Sequence, residues 1–134
     1  MTQEQRQMVE EQFALDYNCS VKDFQSTETL VTRHKRHQEA RKFNDEDSLM
    51  NMLTYNGKLI ITANEEILPW CEEVLTKRIS AEWCFEFDSL IRINKKLFEF
   101  GYKVDQVHIF FLPKYDQPLS DIKTIILEVK NERK

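Results

Sequence analysis

Residues 49–62 read LMNMLTYNGKLIIT, two largely apolar runs on either side of Asn56-Gly57. Asn and Gly both tolerate positive φ, so this pair predicts a two-residue turn joining two antiparallel strands. The flanking segments can be read outward from that hairpin.

Upstream, Val9, Phe13 and Tyr17 recur at i, i+4 with Met8 beside them, which predicts a helix over residues 3–17. Ser20 opens a short capped turn that runs to Phe24. From Leu30 to about Lys35 the chain favours β structure, but the apolar alternation fails after Val31. A strand exposed on one side or near an edge is expected there.

Downstream, Asn64 is expected to cap a helix reaching about Arg78. Its Ile67, Leu68, Cys71, Val74 and Leu75 form one stripe, and Pro69 sits in the first turn. Asp88 is expected to cap the next helix, in which Leu90, Ile91, Asn94, Leu97 and Phe98 follow 3.6-residue spacing and Gly101 marks the end. YKVDQVHIFFLP, residues 102–113, reads as a strand closed by Pro113. Val107, Ile109 and Phe111 alternate there with Phe110 and Leu112, so both faces read as buried. IKTIILEV, residues 122–129, is a final strand. The expected order is helix, strand, hairpin, two helices and two strands. That is α/β in the α+β sense: a mixed, partly antiparallel sheet flanked by three to four helices, in one domain over residues 1–134.

The chain carries a net charge of −4, yet residues 29–43, TLVTRHKRHQEARKF, hold five Lys/Arg against one Glu. So local an excess is narrower than the basic face of a duplex-DNA binder, and no nucleic-acid partner is expected. The three cysteines, Cys19, Cys71 and Cys84, are odd in number and form no C-x-x-C. No secretory segment precedes them, so reduced thiols in a cytoplasm are expected. No apolar run approaches the length of a membrane span.

His34 and His37 share a face only on a helix, and on a strand they point apart, so no metal site is expected. His108 would join them only through the fold. Cys71 beside Trp70, and Cys84 between Trp83 and Phe85, read as inert buried thiols. Asp45-Glu46-Asp47 reads as loop charge and Glu65-Glu66 as charge favouring a helix N-terminus. Only Gly57 and Gly101 occur, one for a hairpin turn and one for a helix end. No glycine-rich loop to cradle a phosphate remains, so no cofactor is expected for this chain.

Several pieces, in order and spacing, resemble the N-terminal portion of GNAT-family N-acetyltransferases of clostridia and related Firmicutes. They are Asp16-Tyr17-Asn18-Cys19 with Phe24 following, and Arg41-Lys42-Phe43. After these come Leu68-Pro69-Trp70, Phe85-Glu86-Phe87, Phe100-Gly101-Tyr102, and His108 with Phe111-Leu112-Pro113. Together they span about residues 10–116; the stretch after Asp116 is least similar. In such proteins this segment precedes a catalytic domain whose Arg/Gln-x-x-Gly-x-Gly/Ala loop holds acetyl-CoA. The resemblance therefore implies an accessory domain that packs on a GNAT catalytic domain, in cis or in trans, and shapes the acceptor side. It carries over no catalytic residue, and it implies acetyl-CoA for the catalytic domain alone.

Arg41-Lys42, with Arg36 nearby, either anchors its loop or faces an anionic acceptor. The competing reading is a stand-alone module that recruits a small anion through Arg33, Arg36, Arg41 and Lys42, or a protein partner. Self-association as a homodimer, through surface a catalytic domain would otherwise cover, also stays open for the isolated domain.

Overall fold

The structure is a computed structural model that describes residues 2–40, 49–111 and 123–131. It is an α+β fold whose element order follows the expected one. Helix α1 (Gln3–Asp16) is followed by a 3-10 turn (Val21–Gln25), strand β1 (Leu30–Arg33) and the hairpin strands β2 (Met50–Tyr55) and β3 (Lys58–Ala63). Helix α2 occupies residues 68–78 and α3 runs Phe87–Phe98, before strands β4 (Tyr102–Phe111) and β5 (Lys123–Asn131). The five strands lie in the order β1-β3-β2-β5-β4. β1 is parallel to β3, and every other pairing is antiparallel.

Asn56 and Gly57 adopt φ of 50° and 78°, the double left-handed pair that a tight hairpin turn demands. The two strands they join are buried along their whole length, because helices cover both sheet faces. Alternation divides their side chains. Met50, Met52, Leu59, Ile61 and Ala63 pack with Ile67, Cys71 and Leu75 around α2 and with Ile93 and Leu97 of α3. Leu53, Tyr55 and Ile60 pack on the opposite face against Phe13 and Tyr17 of α1. Phe13, Phe24 and Tyr55 stack there with ring centroids 5.4–6.4 Å apart, edge-on for both Tyr55 pairs. Such pairs add about 0.5–1.5 kcal/mol each beyond simple burial.

Several expectations need correction. β1 stops at Arg33 and is an edge strand, half-buried as its failing alternation implied. Met8 is 69% exposed, so α1 buries a narrower stripe than its apolar residues suggest. The N-cap of α3 is Glu86, without a side-chain bond, and Asp88 lies in the first turn. Ile93, outside the predicted stripe, is fully buried, whereas Ile91 and Phe98 are exposed. The apolar arc of α3 is wider than the sheet can cover, and the helix is rotated toward Ile93 and Leu97. β4 is the other edge strand, and its Val107 is 40% exposed rather than buried. Leu112 and Pro113 lie outside the described residues.

Helix α2 holds an unforeseen π-turn, Cys71–Leu75, between the α-turns Leu68–Trp70 and Thr76–Arg78. Ile67, Cys71 and Leu75 are spaced by four and all buried. On a pure α-helix each such step drifts about 40° around the axis. A wider π-turn drifts the other way and keeps the three side chains in line. The Thr76 hydroxyl donates to the Glu72 carbonyl across that irregular turn.

Candidate functional site

The basic segment after β1 is held in place from α1. Tyr17 ends α1, and Asn18 follows at φ 50°. The Cys19 N–H reaches back to the Ala14 carbonyl at 3.0 Å, the closure of a left-handed helix end. That conformation aims the Asn18 side chain at the basic segment. Its Nδ2 donates to the Arg33 carbonyl at 2.9 Å, and its Oδ1 faces His37 Nε2 at 2.9 Å. Since Nδ2 is the donor to Arg33, Oδ1 accepts, which assigns the proton to His37 Nε2. Three further bonds pin the segment: Thr32 Oγ1 to the Tyr17 carbonyl, His34 N–H to the Ala63 carbonyl, and Gln12 Nε2 to the Glu39 carbonyl.

Charge on this segment is divided. Arg33 pairs with Glu65 from the turn preceding α2. Lys35 and Arg36 are exposed, while His34 and His37 are half-buried. Of the three predicted acceptor-facing residues, Arg36 is therefore placed on this fixed segment. Arg41 and Lys42 lie outside the described residues, as do Asp45, Glu46 and Asp47. His37 bonds Asn18, and among the described residues no group of His, Cys, Asp or Glu is arranged to hold a metal ion.

Beneath the end of α1 a polar row crosses three strands. Thr32, Thr62 and Asn51 stand opposite one another in register on the α1 face. Asn51 and Thr62 are buried, as are Asp16 and Tyr17 in the helix end above them. Asp16, Tyr17 and Asn18 belong to the family-like pieces, but nothing in their local spacing announced this row. The signal was the pair Asn51 and Thr62 in two largely apolar strands, where Thr54 and Lys58 are the other buried polar positions.

The cysteines are structural in setting. Burial pushes the Cys71 and Cys84 thiols up to about 12, and burial followed by the neighbouring Asp23 pushes Cys19 up to about 11. A thiol so shifted is protonated at neutral pH and is a poor nucleophile. The Cys71 Sγ contacts Met50 Sδ at 3.6 Å, and Cys84 Sγ donates to the Ala81 carbonyl at 3.4 Å.

A concavity of about 710 Å³ lies on the α2–α3 side of the sheet. Thr27, Thr29, Ser80 and Ser89 line it beside the exposed Trp83, and Lys77 and Glu28 bring opposite charges. Trp83, expected to bury the Cys84 thiol together with Phe85, is instead 57% exposed. The described residues include no helix long and apolar enough to cross a membrane. No protein-family model, curated protein or solved structure matches the chain.

Proposed function

We propose that this chain is an accessory domain of a GNAT-type N-acetyltransferase in the cytoplasm. It packs against a catalytic domain, in the same chain or in a partner, and contributes to the acceptor side without binding acetyl-CoA itself. The supporting observation is the Asn18 bracket, which fixes the basic segment on the scaffold. A cation carried on a fixed backbone suits recognition of a carboxylate or phosphate better than one on a solvated tail does, because less freedom is lost on binding. Arg36 stands on that segment, and Arg41 and Lys42 follow it in sequence. Both glycines already serve turns, at φ 78° and 80°. A glycine-rich pyrophosphate loop therefore forms no part of the proposed role.

Titration calorimetry of this chain with acetyl-CoA is expected to give no binding heat, and micromolar binding would overturn the reading. In a two-domain protein, Arg41→Ala is expected to raise the acceptor KM about tenfold or more with an unchanged thermal midpoint. An unchanged KM would assign Arg41 to anchoring its loop. Exposure of Lys35 and Arg36 on the same segment favours one alternative, a stand-alone anion module. Salt-sensitive binding of a phosphorylated ligand by this chain alone would select it.

A further inference from the structure

The outer flank of α3 is apolar where a solvated helix should be polar. Phe87 is 75% exposed, Ile91 39% and Phe98 49%. At 100° per residue these three fall within a sector of about 40°. They form a stripe beside the core-facing stripe of half-buried Leu90 and fully buried Ile93 and Leu97. The stripe borders β4, because the Asn94 side chain accepts the Val104 N–H at 2.9 Å. Val107, farther along β4 beyond the bulge at Val104/Gln106, is itself 40% exposed. Val107 lies opposite Leu127, and Leu127 opposite Met52, so Val107 faces the helix side of the sheet.

We propose that this α3–β4 face binds a second copy of the same chain, with the two α3 helices antiparallel about a two-fold axis beside Ile91. Charge complementarity selects that occupant and that direction. Exposed Asp88 and Lys95 flank the stripe on its other side, seven residues apart, with Ile91 midway between them. The two-fold axis sets Asp88 of each copy against Lys95 of the other. A parallel arrangement would oppose Asp88 to Asp88 and Lys95 to Lys95. The same operation lays stripe on stripe, with Phe87 entering the wide interval between Ile91 and Phe98 of the second copy. Such a contact is self-complementary, as a closed dimer requires.

Area and edges point the same way. The four side chains expose roughly 400 Å² of apolar surface, judged from the 150–250 Å² of a whole aromatic side chain. That is about half of the ~800 Å² each partner contributes to a standard interface, and the flanking charges and the β4 edge supply a rim. The sheet's two edges also differ. β1 is four residues long and carries Arg33, whereas β4 is ten residues long, with exposed Lys103 and Asp105 and a bulge at Val104/Gln106 in its first half and mostly Val, Ile and Phe after Gln106. Charges and a bulge guard the first half of that edge, so the second half is the part a partner would cover.

This inference does not depend on the acetyltransferase reading, and sedimentation equilibrium of the chain at about 100 μM tests it. The expected mass is twice 16.1 kDa. Phe87→Asp is expected to weaken association at least fiftyfold while leaving the circular dichroism and thermal midpoint of the monomer unchanged, since Phe87 is solvent-exposed. Asp88→Lys and Lys95→Asp are each expected to weaken it about fivefold at low salt. The double exchange D88K/K95D should return to within about threefold of wild type. A monomeric wild-type chain would overturn the proposal and leave the face to a different protein. A dimer indifferent to Phe87→Asp would place the interface elsewhere, and failure of the double exchange to restore association would overturn the antiparallel register.

Discussion

Asn18 joins two roles in one side chain. At φ 50° it terminates α1, and from that position it reaches both Arg33 and His37. Alanine would meet a steric cost of about 1–2 kcal/mol in the left-handed region and lose two partly solvated hydrogen bonds. Asn18→Ala is expected to lower unfolding free energy by about 2 kcal/mol, and Asn18→Gly by about 1, since glycine escapes the steric part. Urea denaturation of both variants measures the split; equal losses would show that the side-chain bonds alone matter.

Tyr55 supplies a pH signature on the same face. Burial, then its hydrogen bond to Glu10 at 2.8 Å, raises the phenol from 10.0 to about 12. The folded state therefore retains the proton over a range where the unfolded chain has lost it. The resulting stability is present below pH 10 and is lost as pH rises from 10 toward 12. The raised thiols of Cys71 and Cys84 act in the same direction from their ordinary 9.0. Thermal midpoints are expected to fall steadily above about pH 9, and Tyr55→Phe should flatten the part of that fall above about pH 10.

At the scale of elements, the hairpin is the best-determined piece. Nothing lies within 4 Å of a Cβ built on Gly57, so its substitution meets conformational cost alone. Gly57→Ala is expected to destabilise by about 1–2 kcal/mol at φ +78°, measured by chemical denaturation. A much larger loss would imply that the strand register had slipped.

The hairpin was legible because Asn-Gly states its own backbone requirement, and α1 because its spacing of four repeats. α3 was legible as a helix but not in its rotation. Ile91, Ile93, Leu97 and Phe98 together make an arc too broad for one covered face, and only the sheet decides which part is sheltered. β4 misled for a related reason: Val, Ile and Phe at alternating positions read alike in a central strand and in an edge strand awaiting cover. The π-turn has no compositional mark, since Cys71 to Leu75 would sit equally well in an ordinary helix. Of the candidate site, the basic segment was legible as charge, while its fixation by Asn18 required the two side-chain hydrogen bonds to be seen.

For the molecule as a whole, the strand order carries a consequence for assembly in time. β5 lies between β2 and β4, so Met52 sits opposite Leu127, about 75 positions farther along the chain. The hairpin and the α3–β4 unit are both local and can form early. Neither can be joined to the other until residues 123–131 arrive to fill the gap between them. Pairings between such distant positions slow folding, because the loop must close before the contact repays it. During synthesis at about 5–20 residues per second, β2 therefore waits several seconds with an apolar edge uncovered. The last strand acts as the keystone of the sheet, and the folding chain is most open to aggregation just before that strand is placed.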